Sequence, residues 1–230
     1  WNLEERNLLG EAVRLEEIVL DGITCYAEGI VYAALGDIPA EPIDNYGLLR
    51  ILEGVYDLYT DAGYMMVRFA AGGTADGILH LRIEEGRVSE IVLDGNEHTK
   101  DYVILRKLGF EVGQVIDRAD YLLSHQQLTS LGYFGSVDIT PEWADEGVQV
   151  GVAVTEKSRL GGFEGSISID PSGGGLVGEL SLRQKNLFGT GQDVELSYSR
   201  GLTGGEDPSA STWNLGYSSV AFFPDFDRVG

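Results

Sequence analysis

Hydrophobic positions along the chain change period several times, and each change marks an element. Ile18, Val19 and Leu20 form a short aliphatic run ending at Asp21-Gly22, the pattern of a strand with a turn behind it. A helix-like stretch follows and stops at Leu35-Gly36, where glycine supplies a left-handed exit. Leu48, Ile51, Leu52, Val55 and Leu58 then recur at spacings of three or four, an apolar stripe along one side of a second helix that ends at Gly63-Tyr64. Two strands close the unit. In the last of them Leu79, Leu81 and Ile83 alternate with Ile78, His80, Arg82 and Glu84, which predicts a sheet covered on one face only, with the helix pair as its cover.

The same grammar is written twice. Glu-Ile-Val-Leu-Asp-Gly at 17–22 recurs unchanged at 90–95, 73 positions later, and Arg14 and Leu35-Gly36 recur at that offset as Arg87 and Leu108-Gly109. Gly63-Tyr64 returns as Gly132-Tyr133 at an offset of 69. Three landmarks in one order point to duplication. In the second copy the helical stripe is thinner (Tyr121, Leu128, Leu131), and Val148, Val150, Val152 and Val154 alternate with Gln149, Gly151, Ala153 and Thr155. The expected order is strand, helix, helix, strand, strand, in tandem.

From Gly161 onward the text becomes rich in Gly and Ser, with four alternating segments. Phe163, Ile167 and Ile169 share one face of the first, Leu180 and Leu182 of the second, Val194, Leu196 and Tyr198 of the third, and Trp213, Leu215 and Tyr217 of the fourth. Turn residues separate them at 170–173, 189–191 and 204–208. One face is bulky and apolar and the other small or polar. Membrane barrel strands read this way, and so do soluble antiparallel sheets with one wet face. Barrels need about eight strands or more, and open edges are not tolerated in lipid. Four segments therefore imply either a chain that continues past Gly230 or a soluble sheet, and the chain reads as truncated. It begins at Trp1 without a signal-like segment, as a processed or excised piece does.

Composition narrows the classes further. With 16 Lys+Arg against 37 Asp+Glu the formal charge is -21, which repels nucleic-acid phosphates and anionic lipid headgroups, so no nucleic-acid partner is expected. The one cysteine, Cys25, excludes an internal disulfide and reads as a small buried apolar residue. His80, His98 and His125 fit no metal-ligand spacing and read as solvated. Gly189-Thr190-Gly191 and Gly173-Gly174-Gly175 lack the lysine and helix of a phosphate loop and read as hairpin turns. Glu84-Glu85-Gly86 reads as a solvated turn between domains. No catalytic constellation emerges, so the chain is expected to be no enzyme and to use no metal or cofactor.

The two units, with Gly-Tyr at the end of each second helix and closing motifs Arg82-Ile83-Glu84-Glu85-Gly86 and Val154-Thr155-Glu156, resemble POTRA domains. The segment Asn186-Leu187-Phe188-Gly189-Thr190-Gly191-Gln192, flanked by alternating strands, is similar to the opening of a BamA/TamA-type barrel of the bacterial surface antigen family. The resemblance covers roughly residues 15–223. It implies an α+β chain of two tandem POTRA-like β-α-α-β-β domains followed by antiparallel β strands of an incomplete outer-membrane β-barrel. The expected division is an N-terminal extension or linker at 1–14, POTRA-like domains at 15–86 and 87–160, and the barrel start at 161–230. Gly22, Gly63, Tyr64, Gly95, Gly132, Tyr133, Asn186, Leu187, Phe188, Gly189 and Gly191 are the expected structural motif.

The resemblance also implies a function: an outer-membrane protein assembly factor, in the cell outer membrane with its POTRA domains in the periplasm. Its partners would be unfolded outer-membrane β-barrel precursors, outer-membrane lipid through the barrel, and periplasmic chaperones or accessory lipoproteins. Capture would be strand addition to an exposed sheet edge, which reads backbone and so suits varied clients. By family analogy that edge is the second strand of each unit. In the first it comprises Tyr64, Met65, Met66, Val67, Arg68, Phe69 and Ala70. In the second it runs from Phe134 to Thr140, with Phe134, Ser136, Val137, Asp138 and Ile139. The side chains of Met65, Val67 and Phe69 are expected to line the core. Two alternatives stand beside this reading: a two-partner secretion transporter that exports a protein client through its barrel, and a soluble β-rich binding module.

Overall fold

In the computed structural model, which describes residues 12–169, 175–203 and 211–220, the first Glu-Ile-Val-Leu-Asp-Gly block forms strand β1 (Glu17–Asp21) and its turn. Helix α1 (Glu28–Leu35), helix α2 (Asn45–Asp61), strand β2 (Val67–Ala75) and strand β3 (Ile78–Glu85) follow. Helix α1 ends where expected, at Gly36 with φ +70°. At the other end of the connection the Asp44 carboxylate accepts the Gly47 N–H at 2.9 Å and caps α2. The stripe on α2 is buried at Leu48, Ile51, Leu52 and Val55, while Tyr59 takes the place expected of Leu58, which is only half-buried.

The first sheet has the order β1-β3-β2, with β3 parallel to β1 and antiparallel to β2. A parallel pair needs a crossover between its strands, and α1, α2 and β2 supply it. Leu79, Leu81 and Ile83 of β3 join Ile18, Leu20, Val31 and the α2 stripe in one core, each side chain contributing about 1.5–3 kcal/mol by leaving water.

The second copy forms strand β4 (Val88–Asp94), helix α3 (Asp101–Leu105), helix α4 (Arg118–Leu131), strand β5 (Phe134–Ala144) and strand β6 (Gly147–Glu156), with sheet order β4-β6-β5. The valine alternation holds, since Val148, Val150, Val152 and Val154 are all buried. Two expectations are corrected. Helix α3 stops at Leu105, and Gly109 is not in a left-handed conformation. Its glycine is needed for close approach instead, because a Cβ there would meet the Asp120 carbonyl at 3.1 Å. On α4 the buried positions are Ser124 and Leu128, with Tyr121 and Leu131 half-buried.

Close contacts divide the chain into two compact units. One holds the first repeat through residue 92 with 109–123 and 139–151; the other holds 93–108, 124–138 and everything from 152. The second unit contains strands β7 (Gly161–Ile169), β8 (Leu176–Gln184), β9 (Gln192–Thr203) and β10 (Ser211–Ser219), an antiparallel sheet in the order β7-β8-β9-β10 that does not close among the described residues. The turns expected at 170–173 and 204–208 fall outside those residues, as do residues 1–11 of the expected extension. The register aligns Phe163, Leu182, Leu196 and Leu215 in one row across the four strands, and Leu180, Tyr198 and Trp213 in the next. Among the described residues nothing covers this apolar face: Phe163 is 71% exposed and Leu215 76%.

Candidate functional site

The expected first docking edge divides in the structure. Strand β2 begins only at Val67 and is an outer strand, paired with β3 alone. The residues before it are already engaged through their backbones. Tyr64 N–H donates to the Tyr59 carbonyl at 2.9 Å, Met65 N–H to the Ile116 carbonyl at 3.4 Å, and the Met66 carbonyl accepts Gly86 N–H at 2.7 Å. Tyr64 and Met65 therefore lie against Asp117 and Ile116, Met66 pairs with Gly86 at the start of the ladder, and Val67, Arg68, Phe69 and Ala70 lie on the outer strand. Of the side chains expected in the core, Val67 and Phe69 pack against it and Met65 is exposed. The second expected edge is the outer strand β5. Phe134 and Ile139 on it are buried, Val137 is half-buried, and Ser136 and Asp138 face solvent.

Each repeat carries a latch that the alternation does not reveal. Glu85, at the end of β3, accepts the Thr24 and Cys25 N–H groups at 2.9 Å, the Thr24 hydroxyl, and the Tyr59 hydroxyl at 2.6 Å. Glu156, at the end of β6, accepts the His98 N–H at 3.0 Å and the Thr99 N–H at 2.6 Å, with the His98 ring Nδ1 also 3.0 Å away. Both carboxylates sit two residues beyond the last buried residue of the central strand, Ile83 or Val154, and both bind the loop that follows the repeated Asp-Gly. The turn glycines are equivalent too. A Cβ on Gly22 would come within 2.3 Å of the Ile83 carbonyl, and one on Gly95 within 1.9 Å of the Val154 carbonyl. Glu85 is thus a structural acceptor and not a solvated turn residue. The recurring Ile/Val-x-Glu ending was the available signal.

Electrostatics follow from these bonds. Burial raises the Glu85 carboxyl, but the Thr24 and Tyr59 hydroxyls and the Cys25 and Thr24 N–H groups outweigh it and hold the pKa below the ordinary value. Glu156 is lowered in the same way, burial opposed by Thr99 and His98. Around Glu85, burial first and then the carboxylate push the Tyr59 phenol far up. Burial, then the neighbouring Cys25, raises Tyr64 to about 12. Cys25 is half-buried here and raised by burial and by Glu85. Of the other histidines, His80 and His125 are exposed.

The Asn-Leu-Phe-Gly-Thr-Gly segment makes the turn between β8 and β9 as a one-turn 3-10 helix, Leu187–Gly189. Asn186 and Phe188 both take the left-handed conformation, φ +50° and +55°, which asparagine tolerates better than most residues. Asn186 is only 5% exposed. Its N–H donates to Asp193 Oδ1 at 2.9 Å, its amide Nδ2 to Thr99 Oγ1 at 2.8 Å, and its Oδ1 accepts Gly191 N–H at 2.9 Å. The Tyr133 hydroxyl reaches the same Asp193 oxygen at 2.8 Å, and burial followed by that carboxylate pushes the phenol up. Lys100 N–H donates to the Gly189 carbonyl at 2.9 Å and the Tyr102 hydroxyl to the Thr190 carbonyl at 3.0 Å. The turn is thereby fastened to residues 98–102 by side chain and main chain. Phe188 stands out from it, 83% exposed. Thr99 and Asp193 were not marked in the sequence, because their partners lie 57 or more residues away or are backbone groups.

Comparison with known proteins bears directly on this arrangement. A family model described as POTRA, surface antigen variable number repeat, matches residues 86–157. The chain is 33% identical over 156 residues to the outer membrane protein assembly factor BamA of Neisseria meningitidis serogroup B, an alignment covering 63% of this chain and 18% of that protein. The chain thus carries a POTRA match over its second repeat and is similar to BamA-type proteins. Solved structures agree in fold. BamA from Haemophilus ducreyi lacking POTRA domains 1–3 aligns with a TM-score of 0.53 and 19% identity, over 91% of this chain and 40% of that one. CdiB from Escherichia coli aligns with a TM-score of 0.69 and 20% identity, over 94% and 40%. The chain therefore spans about a fifth of its meningococcal relative and 40% of each solved chain. Its α+β architecture, POTRA-like repeats leading into an antiparallel sheet, is the expected one.

Proposed function

We propose that this chain is part of an outer-membrane protein assembly factor. In this reading residues 15–86 and 87–160 are periplasmic POTRA domains that capture unfolded β-barrel precursors by strand addition. The sheet from residue 161 opens a barrel that assists their folding and insertion and meets outer-membrane lipid with its apolar face. Periplasmic chaperones or accessory lipoproteins would deliver the clients. The observation that carries the reading is the exposed row Phe163, Leu182, Leu196 and Leu215, attached to repeats whose second-last strands, β2 and β5, are outer strands. An uncovered apolar face of that kind marks an interaction or membrane surface, and an outer strand is a template for main-chain pairing.

The test is capture of an unfolded barrel precursor by the full-length protein, read by crosslinking. Val67→Pro removes a main-chain donor from the edge and stiffens it, and it is expected to lower crosslinking to β2 severalfold. Unchanged capture by a folded Val67→Pro protein counts against β2. An exporter is distinguished in the same preparation, because its client emerges soluble on the far side of the membrane and is not inserted.

A further inference from the structure

We propose that the two outer strands are unequal: β2 accepts an added strand, while β5 is closed along its second half by its own sequence. The inference rests on strand capture as the function. It follows from which main-chain groups turn outward. Val67 stands opposite Glu85, and the next residue along, Gly86, donates its N–H to the Met66 carbonyl at 2.7 Å. A bond flanking the pair in this way makes Val67 and Glu85 a non-hydrogen-bonded pair, so the Val67 N–H and C=O point away from β3, toward the open side. Strand β2 contains no proline, and its one charged residue is Arg68.

On β5 the same positions are blocked. Strands β5 and β6 are joined by Asp145-Glu146 alone, and a two-residue hairpin sets Ala144 opposite Gly147, Trp143 opposite Val148 and Pro141 opposite Val150. The Val148 N–H donates to the Arg87 carbonyl at 2.8 Å, on the β4 side of β6. Trp143 and Pro141, two residues apart, thus both turn their main chains to the open edge. Pro141 has no N–H to offer there. The Trp143 ring is covered by the Arg68 guanidinium, 3.9 Å from its centroid. Asp138 and Glu142, both exposed, stand along the strand on either side of Pro141. Proline and edge charges are devices by which sheets prevent further pairing.

The chemistry of the occupant follows from the barrel-type strands of this chain itself. Strands β7 to β10 carry Glu164, Glu179, Arg183, Asp193, Glu195 and Arg200 as their charged residues, so each is neutral or acidic. Such a strand would face the carboxylates along β5, and like charges across a strand pair destabilise it. The partner that fits is an extended, alternating, neutral-to-acidic strand, added to β2.

The experiment places a photo-crosslinking amino acid at Ala70 or at Thr140 of the full-length protein and adds a labelled peptide of the β9 sequence, Gln192–Thr203. Transfer at position 70 is expected to exceed that at 140 by at least about tenfold, because the closed edge forfeits several main-chain bonds. Pro141→Val combined with Glu142→Thr is expected to raise transfer at 140 toward the level at 70. Equal transfer at both positions in the otherwise unaltered protein overturns the inequality and leaves capture standing. Transfer at neither overturns strand capture and this inference with it.

Discussion

The β1-β3-β2 sheet and the β7–β10 sheet obey one alternating code and end in opposite states. Leu79, Leu81 and Ile83 on β3 are sealed under α1 and α2, whereas Leu182, Leu196 and Leu215 are exposed, with no element among the described residues above them. Period two states only that a strand has two unlike faces. What covers the apolar face is decided by what the connections supply. Helices fill the crossover between parallel β1 and β3, while between β8 and β9 there is one short turn at 187–189. A covered sheet has withdrawn its apolar face from water, and an uncovered face of this kind marks an interaction or membrane surface.

Substitution at matched leucines should expose that contrast most strongly. Leu81→Ala, in the sealed sheet, is expected to cost about 2–5 kcal/mol, whereas Leu215→Ala should change stability by less than about 0.5 kcal/mol. Urea unfolding of both variants measures the difference, and equal losses would show that the β10 face is buried after all. For the membrane role proposed for this face the order reverses. Leu215→Lys is expected to oppose insertion into vesicles by about 2–4 kcal/mol near the bilayer midplane, and an unchanged vesicle-bound fraction would remove the membrane assignment of this face.

The turn that fastens the second sheet comes next. Asn186→Ala leaves Thr99 Oγ1 and the Gly191 N–H without their partner, both within buried surroundings, at an expected cost of about 1–3 kcal/mol. Faster hydrogen exchange should appear at Gly191 and Lys100 before it appears in β3. If the whole chain loosens together, the turn is not a local fastening.

A smaller effect separates the latches from the rest of each repeat. The folded pKa values of Glu85 and Glu156 are depressed, so their contribution to stability is complete above the unfolded value of about 4.3 and is lost as pH falls through the folded value. Melting temperature should therefore drop on acidification below about pH 4.3, with a shallower drop in Glu85→Gln. A parallel pH profile for the variant would show that Glu85 is not the titrating latch. The smallest effect belongs to Arg82 and Asp21, an ion pair at 3.3 Å with both side chains more than 60% exposed. Arg82→Gln should cost no more than about 0.5 kcal/mol and should vanish in high salt.

The repeat shows which features of the site are legible in a linear text. The Glu-Ile-Val-Leu-Asp-Gly blocks and the Gly-Tyr pairs mark equivalent turns in both copies, with Gly22, Gly63, Gly95 and Gly132 all at positive φ. These are local requirements of the backbone, so they are written locally. Strand β2, expected from Tyr64, begins three residues later because Tyr64 to Met66 are drawn into hydrogen bonds with residues near Ile116 and Gly86. The Asn186 turn was marked by its letters, yet its partner Thr99 lies 87 residues back, and no spacing rule connects the two. Helix α3 stops at Leu105, short of Leu108-Gly109, and that glycine is not left-handed but close to the Asp120 carbonyl, which a Cβ on it would meet.

By itself the sequence determined the two faces of each strand, the duplicated order of elements and the places where only glycine fits. Each follows from the pleat, the helical period or the steric limits on φ, which act within a few residues. Tertiary structure alone decided which apolar face is sealed and which stays open. It also decided which carboxylates become latches, and that Pro141 turns its missing N–H outward while Val67 turns a donor outward. Those depend on which distant segment arrives alongside, and pairing in a sheet consumes one side of a strand while leaving the other for whatever comes next.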